Sequence, residues 1–231
     1  MSIDRLFHHL GLDRLINAEP ERIKGKTFWV WGGTHDTGLR IAKELKLRGA
    51  TKLLLGGKPV EDKGHYKEAE AILGSDFVLP VLGDLQYPDQ ILSKVKEYTD
   101  QGIVIDGVID AASAGLFKVM YYLARERGTL NKAGITSPAE RRQRYLDIIR
   151  EQNEKAMDKA YLMNVTAHER ILDELPYIIS RGGIYVYISS LFSSFVRDGE
   201  YVPDFYKVIA LTKGAFEEKL AERAPCLTLE H

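Results

Sequence analysis

Thr27-Phe28-Trp29-Val30-Trp31-Gly32-Gly33-Thr34-His35-Asp36-Thr37-Gly38 is the stretch that decides the fold. Its first five residues are apolar or β-branched without alternation, so they read as a strand buried on both faces. Gly32 ends that strand, and Gly38 opens a helix over residues 38–48 with Leu39, Ile41, Ala42 and Leu45 on its apolar side. A strand, a glycine-bearing turn and a helix in this order aim the unpaired N–H groups and positive dipole end of the helix at one spot, which suits an anion. Glycines there let the backbone approach a pyrophosphate, although the strict G-x-G-x-x-G spacing is absent. The turn therefore contributes Gly32, Thr34, His35, Thr37 and Gly38 as candidate dinucleotide-binding residues.

Working outward, the same alternation repeats. Residues 52–55 read as a second strand, 66–73 as a short helix, 77–82 as a third strand, 88–98 as a helix starting at Pro88, and 103–109 as a fourth strand, apolar apart from Asp106 and Gly107. After Gly115 the chain turns mainly helical. Ser137-Pro138-Ala139-Glu140 is a strong helix start, with a capping serine, a proline at the first helical position and a glutamate placed for a capping box. The helical pattern runs with a break toward residues 175–179, and Gly182-Gly183 reads as its stop. Residues 184–189 form a predicted fifth strand, followed by a loop through Pro203, a helix bearing Tyr206 and Lys213, and the start of a sixth strand over residues 226–229. Strand–helix–strand repeats of this kind predict an α/β fold: a doubly wound, Rossmann-type parallel sheet with helices on both faces. Residues 26–231 are expected to form this single domain. Residues 1–25 are expected to form a helical extension with Leu6, Phe7, Leu10 and Leu15 on its apolar face.

Composition narrows the function. The 231 residues are 45% hydrophobic and 28% charged with a net charge of -1, an ordinary globular balance that offers no basic field to nucleic acid or to an anionic membrane. Arg141, Arg142 and Arg144 read as one solvated helix face, because Asp147, Glu151 and Glu154 follow. Cys226 is the single cysteine, so no internal disulfide forms and a reducing, cytoplasmic setting is expected. No apolar run is long enough for a membrane span, and the first 25 residues lack a signal-peptide core. His8-His9, His35, His65 and His168 have no companions at metal-ligand spacing, and His168-Glu169 reads as a surface pair. The serines at 189, 190, 193 and 194 form no nucleophile elbow.

Tyr206 and Lys213 lie seven residues apart in Phe205-Tyr206-Lys207-Val208-Ile209-Ala210-Leu211-Thr212-Lys213. On one helix that spacing puts both side chains on a single face, about 10 Å apart along the axis. A phenol and an ammonium so placed suit proton donation to an oxygen that gains charge, with the cation favouring negative charge on the phenol. From the spacing alone, a helix-start tyrosine in the core and a solvated lysine are the favoured reading.

With these segments in hand the chain resembles the short-chain dehydrogenases/reductases. Trp31-Gly32-Gly33-Thr34-His35-Asp36-Thr37-Gly38 matches their T-G-x-x-x-G-x-G turn at the first and last glycines. Asp36 replaces the middle glycine and Trp31 the threonine. An aspartate there repels phosphate and gives up a position where positive φ is cheap, unless it turns away to cap the helix. Asp84-Leu85 resembles the family's adenine-contacting pair, Asp110-Ala111-Ala112-Ser113-Ala114-Gly115 its N-A-G segment, and Met163-Asn164-Val165 its central N-V element. The resemblance runs from Lys26 to Leu229, short of the last strand and substrate-covering segment usual in the family. Most members use Y-x-x-x-K, but Ile209 stands four before Lys213. Tyr206 instead gives the Y-x6-K spacing of enoyl-acyl-carrier-protein reductases, within a Pro203–Lys213 segment like theirs with one extra residue.

The resemblance implies an oxidoreductase that reduces an enoyl thioester, free or on a carrier protein, in the chemistry of fatty acid metabolism. Tyr206, Lys213 and Ser190 would be catalytic, with Tyr206 as proton donor, Lys213 also on the nicotinamide ribose, and Phe195 or Tyr201 near the usual second aromatic. Gly32, Thr34, His35, Thr37, Gly38, Lys58, Asp84, Leu85, Ala111 and Lys213 would bind the cofactor. The second strand ends Leu55-Gly56-Gly57-Lys58 without an acid before Glu61, and Lys58, with His35 or Arg40, suits a 2′-phosphate, so NADP(H) is favoured over NAD(H). A homodimer or homotetramer through the helices after strands four and five is expected. A 3-oxoacyl (carbonyl) reductase, or an inactive dinucleotide-fold binding protein suggested by Asp36, Asp110 and Ile209, are the alternative readings.

Overall fold

Strand β1 (Thr27–Trp31) forms the middle of the sheet because both of its faces are apolar. Phe28, Trp29, Val30 and Trp31 are all buried. The computed structural model describes residues 22–59, 64–113 and 116–227. β1 pairs in parallel with β2 (Lys52–Gly57), Trp29 opposite Leu54, and on its other side with β4 (Ile105–Asp110), Trp31 opposite Asp110. β3 (Val78–Leu82) extends the sheet beyond β2, and β5 (Ile179–Tyr187) lies beyond β4, giving the order β3-β2-β1-β4-β5. The chain thus moves outward in one direction from β1 to β3 and in the other from β4 to β5. The strand order reverses between β1 and β4, where ligands of doubly wound sheets bind outside the carboxyl ends of the strands. Helices α1 (Asp36–Leu47) and α2 (Tyr66–Leu73) make the crossovers that the parallel neighbours β1, β2 and β3 require, and α3 (Pro88–Asp100) lies between β3 and β4 in the chain. The predicted α/β class and Rossmann-type parallel sheet are those of the molecule.

Two compact units divide the chain. One comprises residues up to Leu82, Val95–Asp110 and Ile179–Val186, and holds the sheet; the other comprises Gly83–Lys94, Ala111–Ile178 and the segment from Tyr187 onward. The second unit is helical: α4 (Leu116–Lys132), α5 (Pro138–Tyr161), α6 (Ala167–Ile178), α7 (Leu191–Arg197) and α8 (Lys207–Leu227). Its core includes Met163, Val165, Ile171, Leu172, Leu175, Val208, Ile209 and Phe216. The Ser137 hydroxyl accepts the Glu140 N–H at 3.4 Å with Pro138 at the helix start, as the sequence indicates.

Several expectations need correction. Gly182-Gly183 does not stop a helix: α6 ends at Ile178, and both glycines lie inside β5. A Cβ on Gly183 would come within 2.9 Å of the Asp106 carbonyl, so the glycine allows this strand its close approach. The expected loop between β5 and Pro203 contains α7, capped by Ser190. No sixth strand starts at Cys226, because α8 continues to Leu227. His168 is not a surface residue. It is 1% exposed, in register with Ile171, Leu172 and Leu175 on the buried stripe of α6. Its Nδ1 pairs with the Met163 carbonyl at 2.9 Å, and its ring packs against Tyr187 and Phe216. The expected N-terminal helix face, Glu61, Ala114-Gly115 and residues 228–231 lie outside the described residues.

Candidate functional site

The turn after β1 belongs to the first unit. Gly33 N–H donates to the Gly56 carbonyl at 2.9 Å, tying the turn to the end of β2. A Cβ on Gly38 would sit 2.1 Å from the Gly32 carbonyl, so only glycine lets α1 start this close to the strand end. The first turn of α1 presents N–H groups without intrahelical partners, the backbone cradle an anion needs.

Asp36 departs from that cradle in two ways. Its φ of 46° makes it the one non-glycine at positive φ among the described residues. The position therefore keeps the left-handed backbone without the glycine that adopts it cheaply. Its side chain is 78% exposed and 3.9 Å from His35 Nε2. It does not cap α1: His35 occupies the cap, without a side-chain bond to the helix N–H groups, and Asp36 is the first helical residue. A carboxylate there satisfies the positive end of the helix dipole with the protein's own charge. The backbone of the turn fits a pyrophosphate, and Asp36 opposes it.

The end of β2 has its own logic. A Cβ on Gly57 would meet Thr34 Cγ2 at 2.4 Å and Oγ1 at 2.6 Å. Thr34 is buried in this contact, so the strand end has no room for a ribose-gripping carboxylate at Gly57. Lys58 and Arg40 are exposed, and the His35 ring lies 5.3 Å from that of His65. Nothing in the sequence pattern singles out His65 for this position. At the end of β4, Asp110 is fully buried and accepts the Tyr185 hydroxyl at 2.8 Å.

The second unit holds the other candidates. The Asp84 carboxylate accepts both the backbone N–H of Gln86 at 2.9 Å and its side-chain amide at 3.0 Å, closing a tight turn through Leu85. Ala111 directly follows β4. Tyr206 is not within the long helix. It is the last residue of a 3₁₀ turn, Asp204–Tyr206, that leads into α8, so the one-face spacing argument applies only from Lys207 onward. Asn153 of α5 steadies this turn by donating to the Asp204 carbonyl at 2.7 Å.

Ser190 and Tyr206 come together. Ser190 Oγ accepts the Phe192 N–H at 3.2 Å and donates to Tyr206 Oη at 3.2 Å. Because that donor is the serine's only proton, the phenol proton is left to be given elsewhere. Phe192 packs on the Tyr206 ring with centroids 5.1 Å apart; Phe195 touches Phe192 instead, and Tyr201 is 79% exposed. Lys213 is 5% exposed, donates to the Ile188 carbonyl at 2.7 Å and lies over the Tyr187 ring. Ile209, in the position where the family usually has tyrosine, is a core residue.

Asn164 lies in a π-helical turn, Leu162–Thr166, between α5 and α6. The extra residue in this turn directs Asn164 into the core, where its Nδ2 donates to Thr212 Oγ1 at 2.9 Å. Thr212 in turn donates to the Val208 carbonyl at 2.8 Å. Asn164 thereby fixes α8 one residue before Lys213. Among the described residues no three His, Cys, Asp or Glu side chains gather as metal ligands, and no helix is long and apolar enough to cross a membrane.

This architecture matches solved structures. An enoyl-acyl-carrier-protein reductase of Bacillus cereus, solved with NADP+ and an indole naphthyridinone, superposes at a TM-score of 0.63 with 16% identity, over 89% of this chain and 68% of that one. The fold is that of the short-chain dehydrogenases/reductases. An enoyl-acyl-carrier-protein reductase of Anaplasma phagocytophilum in complex with NAD gives 0.61 with 16% identity over 89% and 67%. A mutant short-chain dehydrogenase/reductase of Serratia marcescens gives 0.57 with 17% identity over 88% and 71%. No family model matches the chain, and no curated protein does.

Proposed function

We propose that the protein is an NADPH-dependent reductase of an enoyl thioester, with Tyr206 as proton donor. The observation that carries this reading is the Ser190–Tyr206 hydrogen bond, in which the serine donates and the phenol keeps its own proton. The turn at Gly32–Gly38 would hold the pyrophosphate with the backbone N–H groups of α1. Lys58 and Arg40 would take the 2′-phosphate, with His35 beside them; the closed strand end at Gly57 supports NADP(H) over NAD(H). Asp84, Leu85 and Ala111 would line the adenine and ribose, and Lys213 the nicotinamide ribose.

Bound NADPH supplies a hydride to the β-carbon of the substrate. The chain's own residues handle the proton and the developing charge. As charge builds on the thioester oxygen, the Tyr206 O–H donates to it, which lowers the barrier to forming the enolate. The Ser190 hydroxyl, already aimed at Tyr206 Oη, stabilises the phenolate that remains. Lys213 is held by the Ile188 carbonyl and adds a buried positive charge to the same segment. The Y-x6-K spacing supports enoyl over carbonyl reduction.

One observation favours carbonyl reduction instead. Paired serine and tyrosine hydroxyls can both converge on a ketone oxygen, as a 3-oxoacyl reductase requires. Turnover of crotonyl and acetoacetyl thioesters with NADPH separates the two. The proposal expects faster crotonyl reduction, and acetoacetyl turnover alone would replace it with the carbonyl reading.

A further inference from the structure

We infer that Glu217 is a positioning residue, which fixes the direction of the Ser190 hydroxyl by gripping the chain on both sides of it. The inference rests on reading the Ser190–Tyr206 pair as the proton-delivering group.

Lys213 and Glu217 are one helical turn apart on α8, and so share a face. Lys213 holds the Ile188 carbonyl at 2.7 Å. Glu217 holds the next part of the same segment: its Oε1 accepts from Ser189 Oγ and, at 2.5 Å, from Ser193 Oγ. Ser190 lies between those two serines. Its carbonyl accepts the Ser193 N–H at 3.0 Å, and its Oγ accepts the Phe192 N–H at 3.2 Å.

The proton count shows what the carboxylate does. Ser193 has one hydroxyl proton and three acceptors in range, Glu217 Oε1 at 2.5 Å, the Ser190 carbonyl at 2.6 Å and, farther off, Ser189 Oγ at 3.3 Å. An ionised carboxylate is the stronger acceptor, so it takes that proton. The Ser190 carbonyl keeps the Ser193 N–H, which holds the first turn of α7 in place. That turn presents the Phe192 N–H to Ser190 Oγ and leaves its proton aimed at Tyr206. Without Glu217 the Ser193 proton turns to the Ser190 carbonyl, Ser189 keeps only the Ser193 hydroxyl at 3.3 Å, and the charged grip on both shoulders of Ser190 is lost. A plain surface ion pair with Arg197 does not account for this arrangement. That contact is 3.4 Å long, to the other carboxylate oxygen, from a half-exposed guanidinium, and such pairs contribute little.

The test uses the full chain. Glu217→Ala is expected to lower kcat for the crotonyl thioester by about tenfold to a hundredfold with KM within about threefold, the size of effect a misplaced donor produces. The solvent deuterium isotope effect on kcat should rise, because proton delivery becomes slower. Glu217→Gln, whose amide oxygen still accepts both serine hydroxyls, should restore kcat to within about threefold of wild type. A crystal structure of Glu217→Ala is expected to show Ser190 Oγ and Tyr206 Oη more than about 3.5 Å apart, beyond hydrogen-bond reach. If that variant does not fold, the Ser189→Ala/Ser193→Ala double variant tests the same grip and should show the same separation. An unchanged Ser190–Tyr206 distance overturns the inference whether or not the protein has the proposed activity. Should Tyr206→Phe leave turnover intact, the functional reading fails, and the distance measurement still decides the role of Glu217.

Discussion

Asp36 gives the sharpest perturbation of the proposed cofactor site. Two effects of its carboxylate can be separated by two substitutions. A non-glycine residue at φ 46° costs about 1 kcal/mol, and somewhat less for aspartate or asparagine, which tolerate this region. An anion in the first turn of a helix contributes about 0.3–1 kcal/mol through the dipole. The contact with His35, 3.9 Å long and open to water, adds little. Asp36→Gly therefore relieves about as much as it loses, and stability should stay within about 0.5 kcal/mol of wild type in urea denaturation. Binding should change more. A carboxylate a few ångströms from one phosphate charge costs about 1 kcal/mol even in water. Asp36→Asn keeps the backbone preference and removes only the charge, so NADPH affinity by calorimetry should rise about fivefold to tenfold. Asp36→Gly should do at least as well, and the gain should shrink as salt is raised from about 0.05 to about 1 M, as screening requires. If Asp36→Asn binds NADPH no better than wild type at low salt, the turn does not hold the pyrophosphate and the reasoning fails.

Two further substitutions test the packing behind the site. Gly57→Ala places a methyl group 2.4 Å from Thr34 Cγ2, so it should cost about 1–3 kcal/mol in urea melts and weaken NADPH binding without improving NADH binding. Ile209→Tyr restores the family's usual tyrosine position but forces a phenol into a core site that is 5% exposed; a loss of about 1–3 kcal/mol and no gain in turnover are expected, and a gain in turnover would show that the catalytic register is the shorter one.

Much of the fold is legible in the sequence because its signals are local. β1 and α2 have the residue ranges that apolar continuity, helical period and flanking glycines predict. The Ser137 cap and Pro138 start are equally plain. Misreadings arise where a local signal serves a tertiary purpose. Gly182-Gly183 looks like a helix stop, yet Gly183 is there for close approach of β5 to Asp106. The apolar residues from Cys226 onward look like a strand, but α8 runs to Leu227. His168 beside Glu169 looks exposed, although its i+3, i+4 and i+7 neighbours, Ile171, Leu172 and Leu175, mark a buried stripe that corrects the reading. In the site, Tyr206, Lys213 and Ser190 can be picked out from the sequence, but not the direction of the hydrogen bond between two of them. That direction depends on Ser190 capping α7, a helix of 7 residues and too short for its period to stand out. Glu217 has no signal, because its partners lie 24 and 28 residues earlier.

The central claim is that Tyr206 delivers the proton, and Tyr206→Phe tests it most directly. With NADPH and a crotonyl thioester, a loss in kcat of about a hundredfold or more is predicted with KM little changed, since the lost interaction acts only in the transition state. Full turnover in a folded, NADPH-binding Tyr206→Phe protein would contradict it.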